Sequence, residues 1–180
     1  MEYQPHELGI IGGTEKRPIV IVKCDPSWPE MFRHHADRIA AVLGENALKI
    51  EHIGSTSVPG LAAKPIIDII LAVKDSSNEG SYLEALIAAG YELRVREPDW
   101  HQHRMLRTPE LDVHVHLFSS GCEEITRMLA FRDHLRRNGE DRLRYATLKR
   151  ELAKRDWPDT NDYARAKTEL VEQITTRALQ

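Results

Sequence analysis

A carboxylate in the middle of an apolar run is the first feature here that calls for a chemical explanation: Asp68 sits within Ile66-Ile-Asp-Ile-Ile70. Facing inward from a strand, it would lose its hydration at a cost of several kcal/mol unless a cation or a hydrogen-bond donor compensates. Just upstream, Gly54-Ser-Thr-Ser-Val-Pro-Gly60 offers backbone freedom and hydroxyls, and Lys64 adds a positive charge. A loop of this kind can hold phosphate oxygens at Gly54, Ser55 and Thr56, with Lys64 neutralising charge nearby. It can equally be a plain Gly/Ser/Pro turn. His52, directly before the loop, is a candidate for the same pocket.

A second group of reactive residues follows. If strands at about 101–107 and 112–118 pair around Thr108-Pro-Glu-Leu111, His103 lies near His116 and Met105 near His114, with Asp112 on the same face, because strand side chains alternate with period two. His103, Asp112, His114 and His116 are then candidate metal ligands together with Asp68. Asp68, His114 and His116 are also the candidate catalytic groups, since imidazoles can hold a transition metal or move protons near neutral pH. The ordinary alternative is a set of histidines hydrogen-bonded locally on a half-exposed sheet. Farther on, the segment 132–155 is locally basic. It reads either as a solvated helical face laced with i,i+4 ion pairs or as a lid on substrate phosphates. Arg132, Tyr145 and Lys149 are the residues expected in such a lid, with Arg104 and Arg107 available from the sheet. His34 and His35 are expected on a helix surface.

The elements that must position these groups follow from periodicity and punctuation. Pro18 to Lys23 reads as a buried strand, and Pro29 opens a helix whose stripe of Met31, Phe32, Ala36, Ile39, Val42 and Leu43 ends at Gly44. Ala47 to Ile53 and Pro65 to Val73 are strands on either side of the Gly/Ser loop. Ser76 with Glu79 and Ser120 with Glu123 are capping-box patterns that would open two further helices, the first closed by Gly90 and the second near Asn138-Gly139. Short strands are expected at about 91–96, 101–107 and 112–118. Leu143 to Arg155 and Thr160 to Leu179 read as amphipathic helices separated by Trp157-Pro158.

This order gives an α/β (α+β) fold, a mixed sheet flanked by helices with a C-terminal helical segment. Residues 1–16 are expected as an arm and 17–180 as one domain, with its sheet core at 17–119 and its helical part at 120–180. The chain has 180 residues, 41% hydrophobic and 29% charged, which is an ordinary composition for one globular core. A net charge of -3 weighs against nucleic acid or an anionic membrane as partner. The two cysteines, Cys24 and Cys122, are far apart and form no disulfide framework or thiolate zinc motif. Without a basic start and apolar run at the N-terminus, or an apolar run of about 18 residues, the expected location is cytoplasmic.

The segment Glu51-His-Ile-Gly-Ser-Thr-Ser-Val-Pro-Gly-Leu-Ala-Ala-Lys-Pro-Ile-Ile-Asp-Ile69 resembles the signature of the GrpB family (UPF0157), whose fold is similar to that of nucleotidyltransferases. The resemblance extends through Trp28 to Phe32, His114-Val-His-Leu-Phe118, Phe131-Arg-Asp-His-Leu-Arg136 and Tyr145-Ala-Thr-Leu-Lys149, over roughly 18 to 175. It implies a Gly54-Ser55 pair holding phosphate oxygens, Asp68 as the first acid of an Asp-x-Asp motif, and Mg²⁺ or another divalent metal as cofactor. The implied ligand is a nucleotide or other phosphorylated small molecule, with nucleotidyl transfer as the activity. Ile70 stands where the second acid belongs. Two-metal chemistry needs several anionic oxygens, so a binding module without catalysis is the alternative. Similar domains also occur fused to dephospho-CoA kinase, which suggests an accessory role beside a protein partner. No Gly-x-x-x-x-Gly-Lys-Ser/Thr loop is present, so kinase activity is not expected.

Overall fold

A computed structural model describes residues 9–180. Its centre is a five-stranded sheet ordered β1-β2-β5-β4-β3, with β1 at Lys49–Ile53, β2 at Ile67–Val73, β3 at Glu92–Glu97, β4 at His103–Arg107 and β5 at Val113–Ser119. Neighbours run antiparallel except β2 and β5, which are parallel in the register Asp68↔His114 and Ile70↔His116.

The pleat divides β2 and β5 into two sets of side chains. Ile67, Ile69, Leu71 and Val73, with Val113, Val115 and Leu117, face one layer, where α1 (Trp28–Leu43) and α2 (Leu83–Ala88) complete the main core. On the opposite face, Ile70, Ala72 and Phe118 pack with Ile125 of α3 (Glu123–Arg137). That second face turns polar toward the start of β2 and β5, at Asp68, His114 and His116. Beyond α3, Tyr145 and Ala146 of α4 (Gly139–Ala153) and Ile174 of α6 (Thr168–Ala178) form a third cluster with Val58 and Leu61 of the Gly/Ser loop. The helical layer is thereby tied to the loop that precedes β2.

Several local expectations are corrected. Pro18 to Lys23 is no buried strand: Val22 forms an isolated bridge with Ala63, and Val20 is exposed. Neither capping box forms. Glu79 is drawn away to Arg96 and Arg104, and the Ser76 hydroxyl meets that of Ser119 at 2.9 Å. Cys122 caps α3 in place of Ser120, without a side-chain bond. Asn138 both ends α3 and opens α4, its side chain accepting from the Asp141 N–H at 3.0 Å, so α4 starts four residues earlier than its apolar stripe suggests. The last helix is two pieces, α5 (Thr160–Arg165) and α6, broken at Ala166 and Lys167. His35 is buried rather than on the surface, 2.8 Å from the Tyr91 hydroxyl.

Residues 1–8 of the expected arm lie outside the described residues. From Gly9 onward the arm runs beside β3, where Ile11 N–H bonds the Arg94 carbonyl at 2.8 Å, and crosses to β4, where Glu15 accepts from Arg107 at 2.9 Å.

Candidate functional site

β1 ends at Ile53, opposite Asp68 of β2, and the chain must then turn sharply without covering that carboxylate. Gly54 makes this possible at φ +68°, because a Cβ there would stand 2.5 Å from Asp68 Oδ2. The loop is then braced from inside. Thr56 donates to the Ile66 carbonyl at 3.1 Å, so it accepts from His52 Nε2 at 3.0 Å, and Ser57 donates to the Gly54 carbonyl at 2.6 Å. His52 stacks on Phe32, and its burial lowers its pKa from 6.5 to about 4. Thus His52 and Thr56 are tied up in shaping the loop, while Ser55 turns its hydroxyl to the cavity and accepts from Lys149 Nζ at 2.7 Å.

The cavity, of about 410 Å³, lies between the polar part of the sheet face and the helical layer. Its floor holds Asp68, with His114 Nδ1 at 3.5 Å and His116 Nε2 at 3.4 Å from the same oxygen, Oδ1. Burial alone would raise the Asp68 carboxyl. The His114 and His116 imidazoles beside it outweigh that effect and hold the group well below the ordinary carboxylate range. The three ligand atoms lie within 4.8 Å of one another, a spacing that could serve one metal ion.

The opposite wall is cationic. Lys64, Lys149 and Lys167 line the cavity, and Asp68 is the only carboxylate among its described lining residues. Lys149 also donates to the Ala62 carbonyl at 2.5 Å and stands 4.7 Å over the Tyr145 ring, while Lys64 and Lys167 lie 5.2 and 4.6 Å over Tyr163. Burial lowers Lys64 and Lys167 to about 8 and Lys149 to about 7, and repulsion from the neighbouring ammoniums adds to the effect at Lys64 and Lys149. An anion entering the cavity would relieve that repulsion.

Several expected site residues are placed elsewhere. The β4–β5 register is shifted by two residues, pairing Met105 with His116 and Arg107 with His114. His103 therefore stands behind His116, held by Glu97 at 2.7 Å, and burial lowers its pKa to about 4. It is not in the ligand group. Asp112 precedes the pleat of β5 and closes the turn by accepting from Thr108 at 2.6 Å, so it too is excluded. Arg104 projects from the other face of β4 and pairs with Glu79 at 2.6 Å. Arg132 bonds Glu51 at 2.8 Å and the His52 carbonyl at 3.0 Å, bracing β1 rather than lining the cavity. Lys167 and Tyr163 escaped the sequence reading. Lys167 stands at i+4 from Tyr163 and i−4 from Val171, on the inward face of the 160–179 segment, so helical spacing held the signal that could have found it.

The GrpB protein family profile matches residues 18–177. The chain belongs to the GrpB family. A UPF0157 protein of Halalkalibacterium halodurans is 52% identical over 177 residues, covering 98% of this chain and 86% of that one. The structure of GrpB from Enterococcus faecalis superposes with a TM-score of 0.79 at 38% identity, covering 89% of this chain and 97% of its own. A mutant of the poly(U) polymerase Cid1 bound to MgATP superposes with a TM-score of 0.54 at 14% identity, over 75% of this chain and 45% of the polymerase. That likeness is one of fold: this GrpB-family chain has a nucleotidyltransferase-like mixed sheet flanked by helices. A dephospho-CoA kinase of Mycolicibacterium paratuberculosis is 28% identical over 84% of this chain, a match that spans 44% of the kinase. Among the described residues, no helix is long and apolar enough to cross a membrane.

Proposed function

We propose that this GrpB-family protein binds a nucleotide or another phosphate-bearing small molecule in the 410 Å³ cavity, with a divalent metal held on its floor. The observation that carries this reading is a charge imbalance: three lysines, Lys149 buried and Lys64 and Lys167 half-buried, face one carboxylate across a cavity. Phosphate oxygens at Lys64, Lys149 and Lys167 would supply the missing negative charge, and the Ser55 hydroxyl lies beside them. Asp68, His114 and His116 are the groups that would hold the metal, which would polarise a phosphoryl oxygen.

A pair of Mg²⁺ ions, as the nucleotidyltransferase resemblance implies, does not fit the residues present. Ile70 is fully buried and packs with Ile53 and Phe118 where a second acid would be needed. The same observation favours a second reading, in which the cavity binds its ligand without transferring it.

The test is thermal unfolding of metal-free protein against nucleotides and CoA precursors, each with and without Mg²⁺, Mn²⁺ or Zn²⁺. A ligand at 100 times its Kd stabilises by about 2.7 kcal/mol, or roughly 5–10 °C in a chain of this size. A metal-dependent shift with nucleotide supports the metal-assisted site and calls for a transfer assay. A shift indifferent to metal supports binding alone, and the absence of any shift sinks the proposal.

A further inference from the structure

Behind the floor of the cavity lies a buried chain of groups for which ligand binding by the lysines provides no role. Glu97 Oε2 is 2.7 Å from His103 Nδ1, His103 Nε2 is 3.2 Å from His116 Nδ1, and His116 Nε2 faces Asp68 Oδ1 at 3.4 Å. Glu97 and His103 are 6% and 5% exposed, and His103 stacks on Phe118. We infer that the floor is built for a single transition-metal ion in preference to Mg²⁺, and that Glu97 and His103 are positioning residues that present the His116 Nε2 lone pair to it. This rests on the proposed reading of Asp68, His114 and His116 as metal-holding groups.

Donors and acceptors along this chain of groups fix the tautomers. A carboxylate only accepts, so His103 carries its proton on Nδ1 and, as a neutral imidazole, leaves Nε2 as an acceptor. His116 must then donate from Nδ1, and in its neutral form its Nε2 carries no proton. Two acceptors, that nitrogen and the Asp68 oxygen, therefore face each other at 3.4 Å. Such a pair is repulsive unless a proton or a metal ion lies between them. The spacing is longer than the usual hydrogen bond of about 2.7–3.2 Å. It matches neighbouring ligands of a tetrahedral ion, which lie roughly 3.3 Å apart when the bonds are about 2.0–2.1 Å.

Metal choice follows from the same residues. Two imidazoles and one carboxylate suit zinc, iron or nickel, whereas Mg²⁺ takes hard oxygens in a near-octahedral shell. Three protein ligands leave a coordination position open. Because Asp68, His114 and His116 all line the cavity with the lysines, that position is accessible to an anionic oxygen. A carboxylate–histidine support behind a metal ligand fixes its tautomer and raises its basicity.

Histidine tautomers in the metal-free full-length protein can be read by long-range ¹H–¹⁵N NMR, and metal affinity by calorimetric titration with Zn²⁺ or Mg²⁺ alone. Expected are an Nδ1–H tautomer at His116 and Zn²⁺ binding at one site far tighter than Mg²⁺, abolished by His116→Ala. Glu97→Gln, which can offer an N–H to His103 and reverse the chain, should weaken Zn²⁺ about 10–100-fold. An Nε2–H tautomer at His116 in the unmodified protein overturns the positioning role without recourse to any variant. Tighter binding of Mg²⁺ than Zn²⁺ overturns the metal choice while leaving the proposed phosphate site standing. Binding of neither ion overturns this inference and the metal part of the proposed function together, and leaves metal-independent ligand binding to the lysines as the surviving reading.

Discussion

Two clusters in this molecule are built from the same residue types, an aspartate with histidine, yet they differ in how completely the carboxylate is satisfied. Asp141, in the helical layer, accepts from His134 at 2.7 Å, from Arg177 at 2.7 and 3.1 Å and from Arg144 at 3.1 Å, while its own N–H is capped by Asn138. Both of its oxygens are saturated. Burial would raise this carboxyl, but His134 and Arg177 hold it below its ordinary value. Asp68 has two imidazoles at 3.4 and 3.5 Å on one oxygen, an open cavity beside it and a glycine that keeps the backbone clear of the other oxygen. The difference separates a structural knot from a site with unfilled coordination: charge type alone does not distinguish them, but the distances and the access do.

The largest effect that would test the contrast is on stability. Asp141→Ala should destabilise the fold by about 3 kcal/mol in urea unfolding, at the low end for a broken buried pair because Arg144 and Arg177 are partly exposed. Asp68→Asn should cost less than about 1 kcal/mol and abolish any metal-dependent ligand shift. A large loss from Asp68→Asn with ligand binding intact would break the comparison. Next is pH. A histidine with a folded pKa of about 4 against 6.5 unfolded stabilises the protein above pH 6.5 and loses that contribution as pH falls toward 4. Between urea midpoints at pH 7 and 4.5, His52→Gln should therefore remove about 2 kcal/mol of the acid sensitivity, and a profile parallel to that of the unmodified protein would contradict it.

Gly54→Ala sharpens the comparison at the site itself. Its Cβ must displace the Asp68 carboxylate and its φ is strained, so a cost of about 1–2 kcal/mol is expected together with weakened metal binding. Equal metal affinity in the variant would show that the carboxylate does not need the clearance. The smallest expected effect is at Lys149→Met, which keeps the length but removes the charge facing Ser55. Phosphate-ligand affinity should drop about tenfold, or 1.4 kcal/mol, with the response to metal alone unchanged.

Much of the fold was readable along the chain. Alternation placed all five strands of the sheet to within about two residues, and the apolar stripe from Met31 to Leu43 located α1. Asp68 stood out because an acid in an apolar run demands compensation, and Gly54 because a glycine at that turn accepts positive φ. The His114 and His116 face was also readable. A register error of two residues preserves the face of every side chain, whereas an error of one would have inverted it.

What failed were the readings that depend on a distant partner. Ser76 and Ser120 carry cap-like spacing, but Ser76 is recruited by Ser119 and Glu79 by two arginines of the neighbouring strands. Asp112 shares parity with His114 yet closes its own turn, and Lys167 meets the cavity because the C-terminal helices dock against the Gly/Ser loop. Periodicity, turn chemistry and the isolated acid are relations between near neighbours, so they are written in the order of residues. Which lysines meet Asp68, and which histidine stands behind which, depend on how the helical layer docks on the sheet, where packing and hydrogen bonding between distant segments override local preference.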